Sequence, residues 1–191
     1  MGVQLKAGEE VFDYKLNLTG FCSIIKNRIV WEPGASGMYT PQNFDCVWSR
    51  GAEVSLGANI KRSDLQMGCD FNYTFTLSNK QNEDGSYSKV QMIYLPIHKL
   101  SAFAYASYHK VRLAYTHKIE GLRYYSDEKT DHVNGYGLGN LNLSSSILLY
   151  GVRMGYGVSI NNIWNTSYQV MPWYPMPLRN YMVHLSFEFG S

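Results

Sequence analysis

No run of apolar residues in this sequence approaches the ~18 that a membrane-crossing helix needs. No stretch carries a convincing 3.6-residue periodicity either, so essentially no helix is expected. Charge is scarce: Asp, Glu, Lys and Arg make up 17% of the 191 residues, against about 25% in ordinary soluble domains. The net charge of +2 is dispersed. Without a basic patch or stripe, a nucleic-acid partner is not expected. Cysteine is limited to Cys22, Cys46 and Cys69, an odd set without C-x-x-C spacing. That speaks against a disulfide framework and against a zinc site, although Cys22 and Cys46 flank one long segment and could meet. The opening "MGVQLKAGEEVFDY" has no apolar core of the kind a secretion signal needs. Taken as a complete protein the chain would be cytoplasmic; taken as a fragment, its signal would lie upstream.

What is present is alternation. Tyr181, Val183, Leu185, Phe187 and Phe189 are large and apolar, while Met182, His184, Ser186 and Glu188 between them are mostly polar. The same period of two runs through "FDYKLNLTG", "GAEVSLGANI", "DFNYTFTLS", "VRLAYTHKIE", "NLNLSSSILL" and "RMGYGVSIN". "LSAFAYASYH" is ambiguous, because both of its faces are small or apolar. Strict alternation marks β-strands whose two faces meet different surroundings. Eight strands are predicted, near 8–25, 44–60, 66–79, 95–108, 110–124, 136–149, 152–163 and 179–190. The fold class is therefore all-β, an antiparallel up-and-down meander of about eight strands.

Alternation alone does not separate a soluble β-sandwich from a membrane barrel. The polar face carries Asp13, Lys15, Glu53, Arg112, Lys118, Glu120, Arg153 and Glu188 in mid-strand. These residues could meet bulk water or line a lumen. The mean hydropathy of −0.26 fits both. The connections discriminate better. Long segments at about 26–44, 79–95, 125–136 and 164–178 alternate with short ones near 60–66, 107–110 and 150–152. In a meander this collects the long loops at one end, as in outer-membrane barrels. A Greek-key sandwich has no reason to sort its loops this way. Tyr108, Tyr124, Tyr125 and Tyr150 near strand ends suit interfacial girdles, and equally they are good strand formers.

Sites of chemistry are sparse. "GYGLGN" at 135–140 resembles a phosphate loop but is followed by a strand rather than a helix. His98, His109, His117, His132 and His184 are scattered without metal-ligand spacing. His184 and Glu188 share a face and read as part of a lumen ion network. "SDEKTD" offers Ser126, Asp127, Glu128 and Asp131 to Ca²⁺, with a solvated loop tip as the simpler reading. No catalytic constellation, metal site or cofactor is expected.

"VSINNIWNTSYQVMPWYPMPLRNYMVHLSFEF" resembles the C-terminal end of TonB-dependent outer-membrane receptors through Asn162, Ile163, Tyr168, Pro177, Arg179 and the strand to Phe189. Leu178 stands where that family usually has glycine. "IIKNRIVWEPGASGMYTPQNFDCVWSRGAEVSL", "LPIHKLSAF" and "GLRYYSD…GYGLGNLNLS" are similar to further family segments, in the family's order. The style is closest to Bacteroidetes-type receptors of the vitamin B12 or siderophore kind. The resemblance implies that residues 1–191 are the C-terminal portion of a 22-stranded transmembrane β-barrel, without its plug and N-terminal strands. Both ends of the chain would then lie on the periplasmic side. The implied function is TonB-dependent uptake, across the cell outer membrane, of a scarce bulky nutrient: a corrinoid, a ferric siderophore or haem. The implied partners are outer-membrane lipid, the nutrient, TonB through the missing N-terminal part and the barrel assembly machinery. The implied ligand contacts are loop aromatics: Trp31, Tyr39, Tyr124, Tyr125, Trp173 and Tyr174. The alternative is a free-standing eight-stranded outer-membrane barrel with a structural or adhesive role, followed by a soluble β-sandwich binding module.

Overall fold

A computed structural model of the chain describes residues 1–8, 11–33, 38–82, 84–126 and 130–189, the side chains at 32, 33, 44 and 45 excepted. The described residues form strands and connections with no helix. In chain order the strands are β1 (Gly2–Gly8), β2 (Phe12–Pro33), β3 (Tyr39–Arg62), β4 (Leu65–Lys80), β5 (His98–Tyr108), β6 (Val111–Glu120), β7 (Arg123–Tyr124), β8 (His132–Val133), β9 (Tyr136–Leu149), β10 (Val152–Asn161) and β11 (Asn180–Phe189). Nine of them make one antiparallel sheet in the order β1-β2-β3-β4-β5-β6-β9-β10-β11, and β7 pairs with β8 separately. The expected meander is therefore present. Its end strands β1 and β11 are not paired with each other, so the sheet is open. A small barrel closed on itself is not formed.

Three boundaries differ from the sequence reading. A further strand, β1, pairs with β2 from Gly2 opposite Thr19 to Gly8 opposite Asp13. It makes the strand count odd, and the Met1 amine donates to the Gly20 carbonyl part-way along β2 rather than at a sheet end. Residues 26–44 are not a long loop: β2 and β3 continue as one hairpin until Pro33 faces Tyr39. The strand expected at 110–124 stops at Glu120, and Arg123 and Tyr124 belong to the small β7–β8 hairpin.

The short connections Ser63–Asp64, His109–Lys110 and Tyr150–Gly151 lie at one end of the sheet. Ser63, His109, Tyr150 and Gly151 have positive φ, which lets a two-residue turn follow the right-handed twist of its strands. The connections 81–97, 121–135 and 162–179 lie at the opposite end, where the β2–β3 hairpin also projects. These two ends are the turn end and the loop end.

The register sorts side chains by chemistry. Across β2, β3 and β4, Tyr14 lies opposite Ala58 and Ala58 opposite Cys69; Leu16 opposite Leu56 and Leu56 opposite Phe71; Leu18 opposite Val54 and Val54 opposite Tyr73. The row continues through Leu113, Leu143, Val158 and Val183. Directly opposed residues share a face, so one face of the sheet is predominantly apolar through its middle, with Arg62 at the turn end and Lys26, Arg28 and Arg50 toward the loop end. The ambiguous strand is resolved by its partners. Leu100, Ala102, Ala104 and Ala106 face Tyr73, Phe71, Cys69 and Met67 on the apolar side. Phe103 and Tyr105 fall on the polar face, where the Arg112 guanidinium lies 3.9 Å from the Tyr105 ring. Gly68, opposite Tyr105, is needed there: a Cβ would come within 2.5 Å of that ring.

Neither face is covered by a second layer. The accessible surface is 13059 Å², whereas a compact chain of 21.8 kDa should expose about 9,300 Å². Among the described residues the buried apolar side chains are Val47, Met92, Ile93 and Val133 with Pro96 and Pro172, and all lie toward the loop end. Leu56, Leu113, Leu143, Val158 and Val183 in mid-sheet are exposed. A soluble sandwich would have buried that face; a membrane wall presents it to lipid.

Candidate functional site

The loop end is held by polar side chains that replace strand pairing where it stops. β4 loses β5 as a partner beyond Phe75 opposite His98. Gln91 takes over. Its Oε1 accepts from the Ser78 amide at 2.8 Å, and its Nε2 donates to the carbonyls of Thr76 and Leu95. The Met92 amide returns to the Ser78 carbonyl. Buried backbone groups need such partners, so the 81–97 connection folds against β4. A turn within it is fixed by Asp84, whose carboxyl is held below its ordinary value by the hydroxyl and then the amide of Ser86.

Arg123 joins the next two connections. It is 6% exposed and donates to Glu120 Oε2 at 2.6 Å, to the Tyr136 hydroxyl at 3.3 Å and to the Val170 carbonyl at 3.5 Å. Tyr136 in turn packs on Tyr168, with ring centroids 4.6 Å apart. Asn162 does the same for 162–179. It sits at positive φ (51°), accepts from the Thr166 amide and donates to the carbonyls of Thr166 and Pro177. Leu178 is not among the positive-φ residues. Asn162, Asn165 and Trp173 supply that backbone turn instead, which is how the loop does without the family's glycine.

On this frame the six candidate aromatics fall into two groups. Tyr125 and Trp173 meet edge to face at 5.7 Å. Tyr124 precedes them on β7, its ring 6.1 Å from His132, and its carbonyl accepts from Tyr94, tying in the 81–97 connection. Tyr174 follows Trp173, and both are 71% exposed. Trp31 and Tyr39 stand apart on the β2–β3 hairpin, on the side continuous with the polar face, Trp31 opposite Pro41 and Tyr39 opposite Pro33. Of the first four, Tyr125 and Trp173 are in contact, Trp173 and Tyr174 are exposed and Tyr124 and Tyr125 are half-buried at the same end of the sheet; Trp31 and Tyr39 form a second group.

The remaining expectations resolve individually. Asp127 and Glu128 lie outside the described residues. Among the described ones, Ser126, Thr130 and Asp131 hydrogen-bond one another, and no group of three His, Cys, Asp or Glu could hold a metal ion. Gly135 marks a close chain approach, since a Cβ would come within 2.8 Å of the Glu120 carbonyl. Glu188 lies 3.7 Å from Arg153, whereas His184 covers Gly157 on the neighbouring strand. Cys22 lies opposite Arg50 and Cys46 opposite Lys26, an offset of about 13 Å along the strands that no disulfide spans. All three cysteines are free. Tyr108 and Tyr150 mark the turn end, exposed as a girdle requires, but Tyr124 and Tyr125 belong to the loop cluster.

Chemically, the loop end offers ring faces, hydroxyls and amides suited to stacking and hydrogen bonding with a bulky ligand. Sequence reasoning missed Arg123, Gln91 and Asn162's full role. Only Arg123 left a trace, as a lone cation three residues after Glu120 in an otherwise aromatic segment.

The model of the "TonB dependent receptor-like, beta-barrel" family matches residues 5–163. The chain belongs to this family. It is accordingly part of an outer-membrane β-barrel, and its apolar face is the lipid face. No curated protein sequence matches the chain. Among solved structures, it is similar to BauA, the ferric preacinetobactin receptor from Acinetobacter baumannii, with 16% identity and a TM-score of 0.61 over 97% of this chain and 28% of that one. It is similar to Fiu, the ferric-catecholate import receptor from K12 E. coli, with 18% identity and a TM-score of 0.62 over 96% of this chain and 26% of that one. It is also similar to the copper transporter OprC, with 12% identity and a TM-score of 0.63 over 96% of this chain and 30% of that one. At such identities these matches establish the fold. The chain spans less than a third of the length of each of these proteins.

Proposed function

We propose that residues 1–191 form C-terminal barrel wall, lumen lining and extracellular loops of a 22-stranded TonB-dependent receptor, which takes up a scarce bulky nutrient such as a corrinoid, a ferric siderophore or haem. The observation that carries the reading is the two-sided sheet: a predominantly apolar face across nine strands, a polar face behind it, and long connections at one end only. Energy would reach the receptor through TonB acting on its N-terminal part, and the barrel assembly machinery would insert it. The loop end is the extracellular end in this reading. The Tyr124, Tyr125, Trp173 and Tyr174 surface is the first ligand contact, and Trp31 and Tyr39 reach the ligand from the opposite hairpin. The role is transport rather than catalysis. Uptake of labelled corrinoid, ferric siderophore and haem by cells carrying the full gene tests it. One of the three should enter, entry should vanish without TonB, and Tyr125→Ala with Trp173→Ala should weaken it several-fold. Uptake of none of them, or uptake indifferent to TonB, would refute the reading.

A further inference from the structure

Lys99 and Glu120 lie directly opposite each other on β5 and β6, on the polar face. Lys118 is opposite Ser101 on the same face, diagonal to Lys99, which sets the two lysines about 7–8 Å apart at the backbone. Glu120 is the carboxylate in position to neutralise them, yet it turns to neither. Its Oε2 accepts from Arg123 Nη2 at 2.6 Å. Both lysines are exposed, and among the described residues neither has an ion-pair or side-chain hydrogen-bond partner. Of the other carboxylates on this face, Glu53 is the nearest to Lys99, beyond Thr74. It stands two strands away, about 10 Å, and makes no ion pair with Lys99.

The height of this pair is informative. Lys99 is one residue from the point where β4 stops pairing with β5, and Glu120 ends β6. The lysines therefore stand on the wall immediately below the loop end, and the connection that carries Tyr125 starts directly after β6. Thr74, Ser101 and Thr116 surround them on the polar face and add hydroxyls without charge. The Arg123–Glu120 pair is neutral as a unit, so the local balance is positive. Arg123 thus does more than hold two connections. It withdraws the one carboxylate in register with Lys99 and leaves two ammonium groups for an anion from outside, on a wall whose low-dielectric backing strengthens their field.

We infer, resting on the receptor function proposed above, that Lys99 and Lys118 receive the oxyanions of the transported nutrient, so that the cargo is an anionic chelate or porphyrin rather than an uncharged corrinoid. The chemistry they recognise is a pair of negatively charged acceptor oxygens, present both in a catecholate-bound ferric ion and in the propionates of haem. Each ammonium donates to one such oxygen. The aromatic side chains above take the flat or bulky body of the ligand, and the lysines below select its charge. Arg123 is a positioning residue, acting through Glu120.

The test titrates the intact receptor in maltoside micelles, against empty micelles as the blank, with a ferric tris-catecholate, haemin, an uncharged ferric trihydroxamate and cyanocobalamin. One of the two anionic probes should bind, more weakly as salt rises, and it identifies the source of the oxyanion. The uncharged probes should bind more weakly by about tenfold or more. Lys99→Gln with Lys118→Gln should weaken the anionic probe by about tenfold or more and flatten its salt dependence, at an unchanged melting temperature, because neither lysine has a partner to lose. Lys6→Gln with Lys15→Gln removes the same charge elsewhere on the polar face and should leave binding intact. Arg123→Met releases Glu120 toward the lysines and should weaken the anionic probe; adding Glu120→Gln should restore it, which a purely structural arginine would not allow. Tighter binding of an uncharged probe, unchanged binding in the Lys99–Lys118 variant, or an equal loss in the Lys6–Lys15 variant would overturn the inference while leaving the receptor function standing. Binding of no probe would refute both.

Discussion

Leu56 and Ser55 are adjacent on β3 and face opposite surroundings, so the lipid-face assignment can be tested within one strand. Leu56 lies between Leu16 and Phe71, Ser55 between Asn17 and Asn72. Leu56 is six residues from both Arg62 and Arg50, which puts it at the middle of the apolar band. An arginine at the membrane midplane of a barrel costs about 2–4 kcal/mol and at the interface about 0–1. Leu56→Arg should therefore shift the folding equilibrium of the intact receptor by roughly 30- to 900-fold. Ile60→Arg, close to Arg62, should cost less than Leu56→Arg by most of that amount. Ser55→Arg enters a polar face that already holds Glu53 and Asp70 nearby and should be nearly neutral. Urea unfolding in lipid vesicles, with heat-modifiable mobility as the count of folded barrel, reads all three. A one-residue register error swaps every side chain between faces, so the outcome is binary. Equal destabilisation by Leu56→Arg and Ser55→Arg, or a larger effect of Ser55→Arg, would refute the assignment. A flat series from Leu56 to Ile60 would refute the depth argument.

Other consequences can be checked independently. Arg123→Met removes a hydrogen bond to a charged partner worth about 1.5–3 kcal/mol, and its effect should be local: faster amide exchange and proteolysis in 121–135 and 162–179, with the far-ultraviolet strand signal unchanged. Asn162→Gly keeps the positive φ and loses the side-chain hydrogen bonds, whereas Asn162→Ala loses both, so amide-exchange protection in 162–179 should fall in the order wild type, Gly, Ala. Protease added to intact cells should cut 164–178 and the 125–136 segment, and should reach 107–110 and 150–152 only after permeabilisation. Asp84 has a depressed pKa in the folded state, so its contribution to the 81–97 turn is present above the unfolded carboxylate value and is lost as the pH falls through the folded one; exchange protection at Ser86 should disappear on acidification, while amides of the connection that make no carboxylate contact, such as Met92, should stay protected.

What the sequence reveals depends on what each segment faces. Alternation is imposed where one side of a strand meets lipid and the other meets water, and there the sequence reading located the strands to within a few residues. Beyond the membrane both sides meet water or protein, and the constraint lapses. "IIKNRIVW" accordingly sets Lys26 and Arg28 among Ile24 and Val30 on one face and Ile25, Asn27, Ile29 and Trp31 on the other, reads as a loop, and is β2 continuing. β1 does alternate, with Val3, Leu5 and Ala7 on one face, but over only seven residues. The Tyr125–Trp173 pair could be named as two loop aromatics but not joined, since 48 positions of sequence carry no signal of the contact. Gln91 was silent because its role is to replace backbone partners, which leaves no pattern in composition.

The same division governs where the molecule is stiff. In the membrane, stability resides in backbone ladders that lipid cannot replace, because an unpaired N–H or C=O in hydrocarbon has no alternative partner. Side chains there are interchangeable within their face. At the loop end water competes for every backbone group, so order must be specified residue by residue. That is what Gln91, Arg123 and Asn162 do, near the few buried apolar side chains found among the described residues. Tyr124, for example, is attached at both its ring and its carbonyl, so the aromatic surface is presented by an ordered frame rather than by a free loop. A ligand meeting it, as proposed, would forgo the ordering cost of about 0.5–1.5 kcal/mol per rotamer-rich side chain. The frame is anchored to β4, β6 and β10, not to the lipid face. Under the proposed function, substitutions at Tyr125, Trp173 and Tyr174 would change ligand preference without disturbing the wall, while a change at Arg123 alters how two connections are held at once.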